Sequence, residues 1–168
     1  IGRQEQDAWA LRSHLRAVAA QDEGRFGEEI VPVEIVEKKG TVIVDRDEAP
    51  RRDTSAEALA KLKPVFGDEG TVTAGNAPGV NDGAAAVVVA SEDWARDRGF
   101  SPIATVLGHA AAAWGPAYLA YTPQMAADLA LKKAGLSIAD IDLVEINEAF
   151  ANVAMISSRR LGVDLDCV

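Results

Sequence analysis

Short apolar runs of β-type composition alternate along this chain with stretches of helical periodicity, and that alternation most restricts the folds open to it. Between Glu5 and Gln21, apolar residues at Ala8, Leu11, Leu15, Val18 and Ala19 recur at helical spacing, predicting an amphipathic helix. Gly24-Arg25-Phe26-Gly27 breaks that pattern. Residues 30–36 and 41–44, on either side of Lys38-Lys39-Gly40, then read as the two strands of a hairpin. A charged stretch, 45–53, leads into a short helix capped near Thr54-Ser55 and ending before Pro64. Residues 84–90 are small and β-branched without alternation, which predicts a strand buried on both faces. Residues 103–107 and 143–146 are expected to be strands as well. Helices are expected from Ser91, from Thr122-Pro123 to Gly135, and from Ala149 to Leu161 with Gly162 as the stop; residues 137–142 read as a short polar connection. The class is α/β: a layered αβα arrangement with residues 24–64 inserted as a more irregular excursion.

Composition removes several classes of function. Seventeen basic residues against twenty-six acidic ones give a formal charge of −9, which repels nucleic acid and anionic lipid. Neither nucleic acid nor membrane is an expected partner, and no apolar run approaches the roughly 20 residues that span a bilayer. Cys167 is the single cysteine, so no internal disulfide forms, which favours a reducing, cytoplasmic setting. With His14 and His109 far apart in sequence, no zinc-ligand spacing can be assembled, and no metal is expected. The start, Ile1-Gly2-Arg3-Gln4-Glu5, lacks an initiating Met and a signal region and reads as cut rather than native.

Five separated stretches carry a family pattern: Gln6-Asp7-Ala8; Gly24-Arg25-Phe26 with Glu29-Ile30-Val31-Pro32; Gly70-Thr71-Val72-Thr73-Ala74-Gly75-Asn76; Asn81-Asp82-Gly83-Ala84-Ala85; and Leu143-Val144-Glu145-Ile146-Asn147-Glu148-Ala149-Phe150-Ala151. In this order and spacing the chain resembles thiolases, the acetyl-CoA acetyltransferases and 3-ketoacyl-CoA thiolases. The resemblance implies a partial thiolase fold. Residues 1–98 would supply the loop domain and the end of the N-terminal half, and 99–168 the truncated beginning of the C-terminal half. It also implies reversible Claisen condensation or thiolytic cleavage of 3-oxoacyl-CoA in fatty acid metabolism. The coenzyme A thioester would be the substrate, no cofactor would be bound permanently, and the complete protein would be a homo-oligomer, a dimer or dimer-based tetramer.

In the family the Asn of the last motif holds a water that shares an oxyanion hole with the catalytic His, and Asn147 takes that place by resemblance. A thioester carbonyl under attack becomes an oxyanion and needs fixed donors, so the chemistry suits the residue. Read from residues alone, Asn147 is a helix N-cap in preference to a catalytic group, and Glu148 a first-turn charge favourable to the helix dipole. For Phe150 the resemblance implies lining of the acyl or pantetheine pocket, while the residue alone reads as core on an amphipathic helix. Arg51 and Arg52 fall where the family meets the nucleotide end of CoA, and guanidinium suits phosphate, although solvated charge explains either one alone. Ala74, Gly75 and Pro78 lie in a loop expected beside the pantetheine arm. Pro78 stands where relatives often carry Ser, which removes a hydroxyl and an N–H. Leu119 matches an apolar pocket position, and a core role fits it equally well.

Neither catalytic cysteine nor the Gly-His-Pro histidine of the family has a counterpart here. His109 sits among alanines as a structural histidine, and Cys167 lacks the glycine-rich setting of a catalytic thiol and reads as a buried or frayed-end one. The 168-residue polypeptide alone is therefore expected to have no turnover. A noncatalytic thiolase-like module that binds CoA or a protein partner is the competing reading. An unrelated phosphate-binding α/β domain using 75–83 lacks any Gly-Lys-Ser/Thr or Gly-x-Gly-x-x-Gly pattern.

Overall fold

The first helix turns its polar side inward. In the computed structural model, which describes residues 1–168, α1 spans Arg3–Asp22, and the Gly2 N–H donates to the Glu5 carboxylate at its start. Gln6, Asp7, Trp9 and Ala10 are its buried residues, whereas Ala8, Leu15 and Ala19 of the expected apolar stripe are exposed. The expectation misplaced the inward face because the Gln6 amide nitrogen and the Asp7 carboxylate find hydrogen-bond partners in the loop at residues 71–76, which offsets most of the cost of burying them. The apolar stripe instead lines an open groove of about 980 Å³.

The chain divides into two compact units, residues 1–79 with 148–152, and residues 80–147 with 153–168. In the first unit, α1 is followed by an antiparallel hairpin of β1 (Val33–Glu37) and β2 (Gly40–Val44), close to the expected strands. Val33 faces Val44 and Ile35 faces Val42 across the ladder, while Lys38 and Lys39 make the turn. Next comes α2 (Ala56–Ala60), capped by Ser55 Oγ, which accepts from the Ala58 N–H at 3.1 Å. Leu59 projects from it into the core. The 64–73 segment doubles back, with an antiparallel bridge between Pro64 and Thr73.

In the second unit, Ser91 caps α3 (Glu92–Asp97), and the ring of Trp94 stacks on Phe100. A 3₁₀ turn at Pro116–Tyr121 runs directly into α4 (Thr122–Ala134), which carries Pro123 in its first turn and ends at Gly135 with φ of 70°. The final helix, α5 (Ala151–Leu161), ends at Gly162, also at positive φ. Val153, Ala154, Met155, Ser157, Ser158 and Leu161 form its buried side.

Three expected strands are not formed. Residues 84–90, 103–107 and 143–146 run without ladder partners, and Val88 and Ile103 are 96% and 105% exposed. A strand exists only through hydrogen bonds to a neighbour, and β-branched composition supplies the preference without the partner. One backbone bond, from the Val144 N–H to the Cys167 carbonyl at 3.3 Å, is what 143–146 makes. Cys167 is exposed, in a short 3₁₀ turn at Leu165–Cys167, and His109 is exposed as well. No helix is long and apolar enough to cross a membrane.

Candidate functional site

Within the first unit, Asn76 is the centre of a buried polar network. Its Oδ1 accepts from the Thr73 N–H at 2.8 Å, and its Nδ2 donates to Asp7 Oδ1 at 2.9 Å and to the Thr71 carbonyl at 3.0 Å. Its own carbonyl accepts from the Ala151 N–H at 3.0 Å, so the first amide of α5 is satisfied by this loop. Asp7 is also paired with Arg3, whose Nη2 donates to the carbonyls of Leu59, near the end of α2, and of Leu62 just beyond it. Gln6 donates to Thr71 Oγ1 at 2.8 Å, while its Oε1 is buried without a partner. The sequence pattern flagged these residues only as family markers. Helical spacing gives no sign that a Gln-Asp pair faces inward.

A second cluster surrounds Glu148. Its carboxylate accepts from Trp9 Nε1 and from Ser13 Oγ, the latter at 2.7 Å. One residue further along α1, His14 Nδ1 accepts the Arg51 N–H at 3.2 Å. Partial burial and the Arg51 charge push the His14 pKa below its ordinary value, with Glu148 pulling weakly the other way. Glu148 therefore acts as a structural anchor from outside the helix, since α5 starts only at Ala151. The same boundary removes the capping reading of Asn147, four residues before the helix.

The expected CoA-contacting residues of this unit fall into distinct settings. Arg52 is paired with Asp22 at 2.7 Å and donates to Gln21, holding the 45–53 stretch against the end of α1. Only the backbone of Arg51 is engaged, and its guanidinium is exposed. Ala74 and Pro78 are exposed and Gly75 is buried. A Cβ at Gly75 would lie 2.4 Å from Leu59 Cδ2 and 2.6 Å from Leu62 Cδ1, so its missing side chain serves packing. Phe150 meets Phe66 edge to face at 6.1 Å. None of the six lines the groove beside α1, whose walls are residues of α1 and α2.

In the second unit, Asn147 is exposed outside any helix or strand, and Leu119 is half exposed within the 3₁₀ turn. Around Leu119 stands an aromatic cluster that sequence reading missed: Trp114 stacks on Tyr118 at 4.5 Å, and Tyr121 meets Trp114 edge-on at 5.9 Å. Arg160 of α5 lies over the Tyr121 ring, its Nε donating to Gln124 Oε1 at 2.8 Å. No group of three or more His, Cys, Asp or Glu side chains is placed to hold a metal.

Comparison with known proteins decides the family. Residues 1–93 match the thiolase N-terminal domain and residues 100–168 the thiolase C-terminal domain. The chain belongs to the thiolase family. It is 49% identical to the β-ketoadipyl-CoA thiolase of Pseudomonas putida over 97% of its own length and 41% of that protein. The crystal structure of the Bacillus anthracis acetyl-CoA acetyltransferase superposes with a TM-score of 0.91 at 43% identity, covering the whole chain and 43% of that one. Human mitochondrial 3-ketoacyl-CoA thiolase gives a TM-score of 0.89 at 46% identity, with 99% and 42% covered. This thiolase chain thus spans about two fifths of the length of the relatives it matches, and its fold is a part of their α/β fold. The backbone path is alike although residues 84–90 and 103–107 form no strand here, so the path of the chain is kept without a ladder to stabilise it.

Proposed function

We propose that this thiolase chain supplies one wall of an acyl-CoA site, in a protein that condenses or cleaves 3-oxoacyl-CoA by reversible Claisen chemistry. The observation that carries the reading is the match to both thiolase domains together with the geometry after Asn147. Glu148, the next residue, is held by Trp9 and Ser13, so the backbone bearing Asn147 is anchored without using the Asn147 side chain. An exposed, uncommitted carboxamide on anchored backbone suits a donor that holds a water for a developing thioester oxyanion.

Arg51, with its unengaged guanidinium, would take a CoA phosphate, and Arg52 would do so only by giving up Asp22. Ala74, Gly75 and Pro78 would border the pantetheine arm, Pro78 offering neither hydroxyl nor N–H. Leu119 and Phe150 would face the acyl end. Domain division at residues 98 and 99, a cytoplasmic setting, a role in fatty acid metabolism and a homo-oligomeric complete protein belong to the same proposal. No residue of the 168 offers the nucleophile with a base beside it, so this polypeptide alone binds without turnover.

Titration of the chain with coenzyme A by calorimetry tests the reading. Saturable binding that Arg51→Gln weakens is expected. Absence of any CoA binding overturns it, and burst acylation followed by CoA release in a coupled assay overturns the statement about turnover.

A further inference from the structure

The two outer edges of the hairpin in the first unit are chemically different. Every residue of β1 and β2 is exposed except the half-buried Val44, and the two strands make backbone hydrogen bonds only to each other. A two-stranded hairpin by itself is marginally stable in water, so a further strand on an open edge adds stability. Glu37 and Gly40 flank the two-residue turn as its closing hydrogen-bonded pair, and Ile35 with Val42 and Val33 with Val44 repeat that pairing along the ladder. The residues between them, Glu34 and Val36 on β1 and Thr41 and Ile43 on β2, therefore turn their N–H and C=O groups outward. Pro32 stands at the next outward position on the β1 side, where it has no N–H to give, and that edge is blunted. The β2 edge has no such residue. Thr41-Val42-Ile43-Val44 is β-branched throughout, and its outward backbone groups have no partner in the protein.

Charge says what fits that edge. Lys38 and Lys39 stand at its turn end, and Asp45, Asp47 and Glu48, with Arg46 among them, lie past its other end, all of them exposed. An extended strand with the same two ends meets opposite charge at both when laid antiparallel and like charge at both when laid parallel. A second copy of β2 is such a strand.

Side-chain direction then fixes the register. Ile43 opposite Ile43 of the second copy sets outward backbone groups against outward groups and Val42 against Val44 of the second copy, so the apolar side is common to both. The same register aligns Lys39 with Asp47 and Lys38 with Glu48 across a two-fold axis. Placing Val42 on the axis instead sets Lys38 against Arg46.

We propose that β2 is a self-association edge, through which two copies of this chain pair antiparallel into one four-stranded sheet with Ile43 on its two-fold axis. The proposal does not depend on the acyl-CoA reading above. One short strand a side buries less than the roughly 1,200 Å² of a stable dimer, so the pairing is weak and set by protein concentration and salt.

Sedimentation velocity of the 168-residue chain at rising concentration tests it. A monomer–dimer equilibrium in the range of about 10 µM to 1 mM is expected, weakened by added salt. Ile43→Pro removes an outward N–H without touching the bonds between β1 and β2 and is expected to leave only monomer, whereas Val36→Pro, its counterpart on the β1 edge, keeps the dimer. Lys38→Glu and Glu48→Lys each set like charges at both ends and should weaken the dimer about tenfold. An equimolar mixture of those two variants restores opposite charge at both ends and should associate as the wild type does. Monomer at every concentration, a dimer that survives Ile43→Pro or is lost equally in Val36→Pro, or a mixture no tighter than its components overturns the proposal. So does a dimer lost in Val88→Lys, which identifies 84–90 as the pairing segment instead.

Discussion

Asn76 Nδ2 donates to Asp7 Oδ1 across 2.9 Å, joining the loop at 71–76 to α1 in the interior of the first unit. Asn76 is 3% exposed, and each of its side-chain hydrogen-bonding atoms is used. Asn76→Ala leaves the Thr73 N–H and the Thr71 carbonyl without their partner and removes one donor from a buried carboxylate. The expected loss is about 2–4 kcal/mol, read as a lower urea midpoint at unchanged m-value. Asn76→Asp is expected to be at least as damaging, because it places a second carboxylate against Asp7. An unchanged midpoint in both variants removes the network as a source of stability.

His14 makes the stability of the first unit depend on pH. Its folded pKa is lowered by partial burial and by Arg51, so the unfolded chain binds the proton more readily. The contribution is complete above the unfolded value near 6.5 and is lost as pH falls through the lower folded value. The urea midpoint should therefore drop between pH 7 and pH 5, and His14→Gln, which keeps an acceptor for the Arg51 N–H, should flatten that part of the curve. Because Glu148 raises the His14 pKa, Glu148→Gln should move the His14 titration measured by NMR further down. An upward movement contradicts the assignment.

Gly75 is expected to be a packing position with a specific rescue. A Cβ there meets Leu59, which is 2% exposed and has nowhere to move, and Leu62, which is 38% exposed and can swing outward. Gly75→Ala should cost about 1–3 kcal/mol by overpacking. Truncating the neighbour as well, in Gly75→Ala with Leu59→Ala, should cost less than the two single changes added together. Additive costs in the double-mutant cycle rule out the contact.

Asn147 separates a chemical role from a structural one. Helix capping by Asn contributes about 1 kcal/mol, but α5 begins at Ala151 and its first amide is bonded to the Asn76 carbonyl. Asn147→Ala is therefore expected to leave thermal stability within about 0.5 kcal/mol of wild type. A loss of 1 kcal/mol or more returns Asn147 to the cap.

The helices were legible in sequence because their signals are local: Ser55 and Ser91 cap where expected, and Gly135 and Gly162 stop α4 and α5 at positive φ. The hairpin was legible for the same reason, its strands lying on either side of Lys38-Lys39. What escaped depends on partners distant in sequence. The inward turn of Gln6 and Asp7 is decided by Thr71 and Asn76, and the anchoring of Glu148 by Trp9 and Ser13. The aromatic cluster escaped although Trp114, Tyr118 and Tyr121 stand at i, i+4 and i+7, because Gly115-Pro116 interrupts a helical reading there and the 3₁₀ turn is what brings the rings together. Composition favoured strands at 84–90 and 103–107, but a ladder needs a second strand.

Those unpaired segments define the weakest part of the isolated chain. Val87, Val88 and Val89 are each more than three-quarters exposed, and the backbone around them offers donors and acceptors to any extended chain it meets. Hydrogen exchange should show amides at 84–90 exchanging near unstructured rates while those inside α4 are protected, since only the latter are bonded within the fold. The same exposure makes this run a site of intermolecular pairing at micromolar concentration. Val88→Lys puts a charge in the middle of the run without removing any buried contact. It should reduce light scattering on standing while leaving the melting temperature of the helical part unchanged. A fall in melting temperature with Val88→Lys means that the segment is packed in solution, and protection at 84–90 means that it has found a strand to pair with.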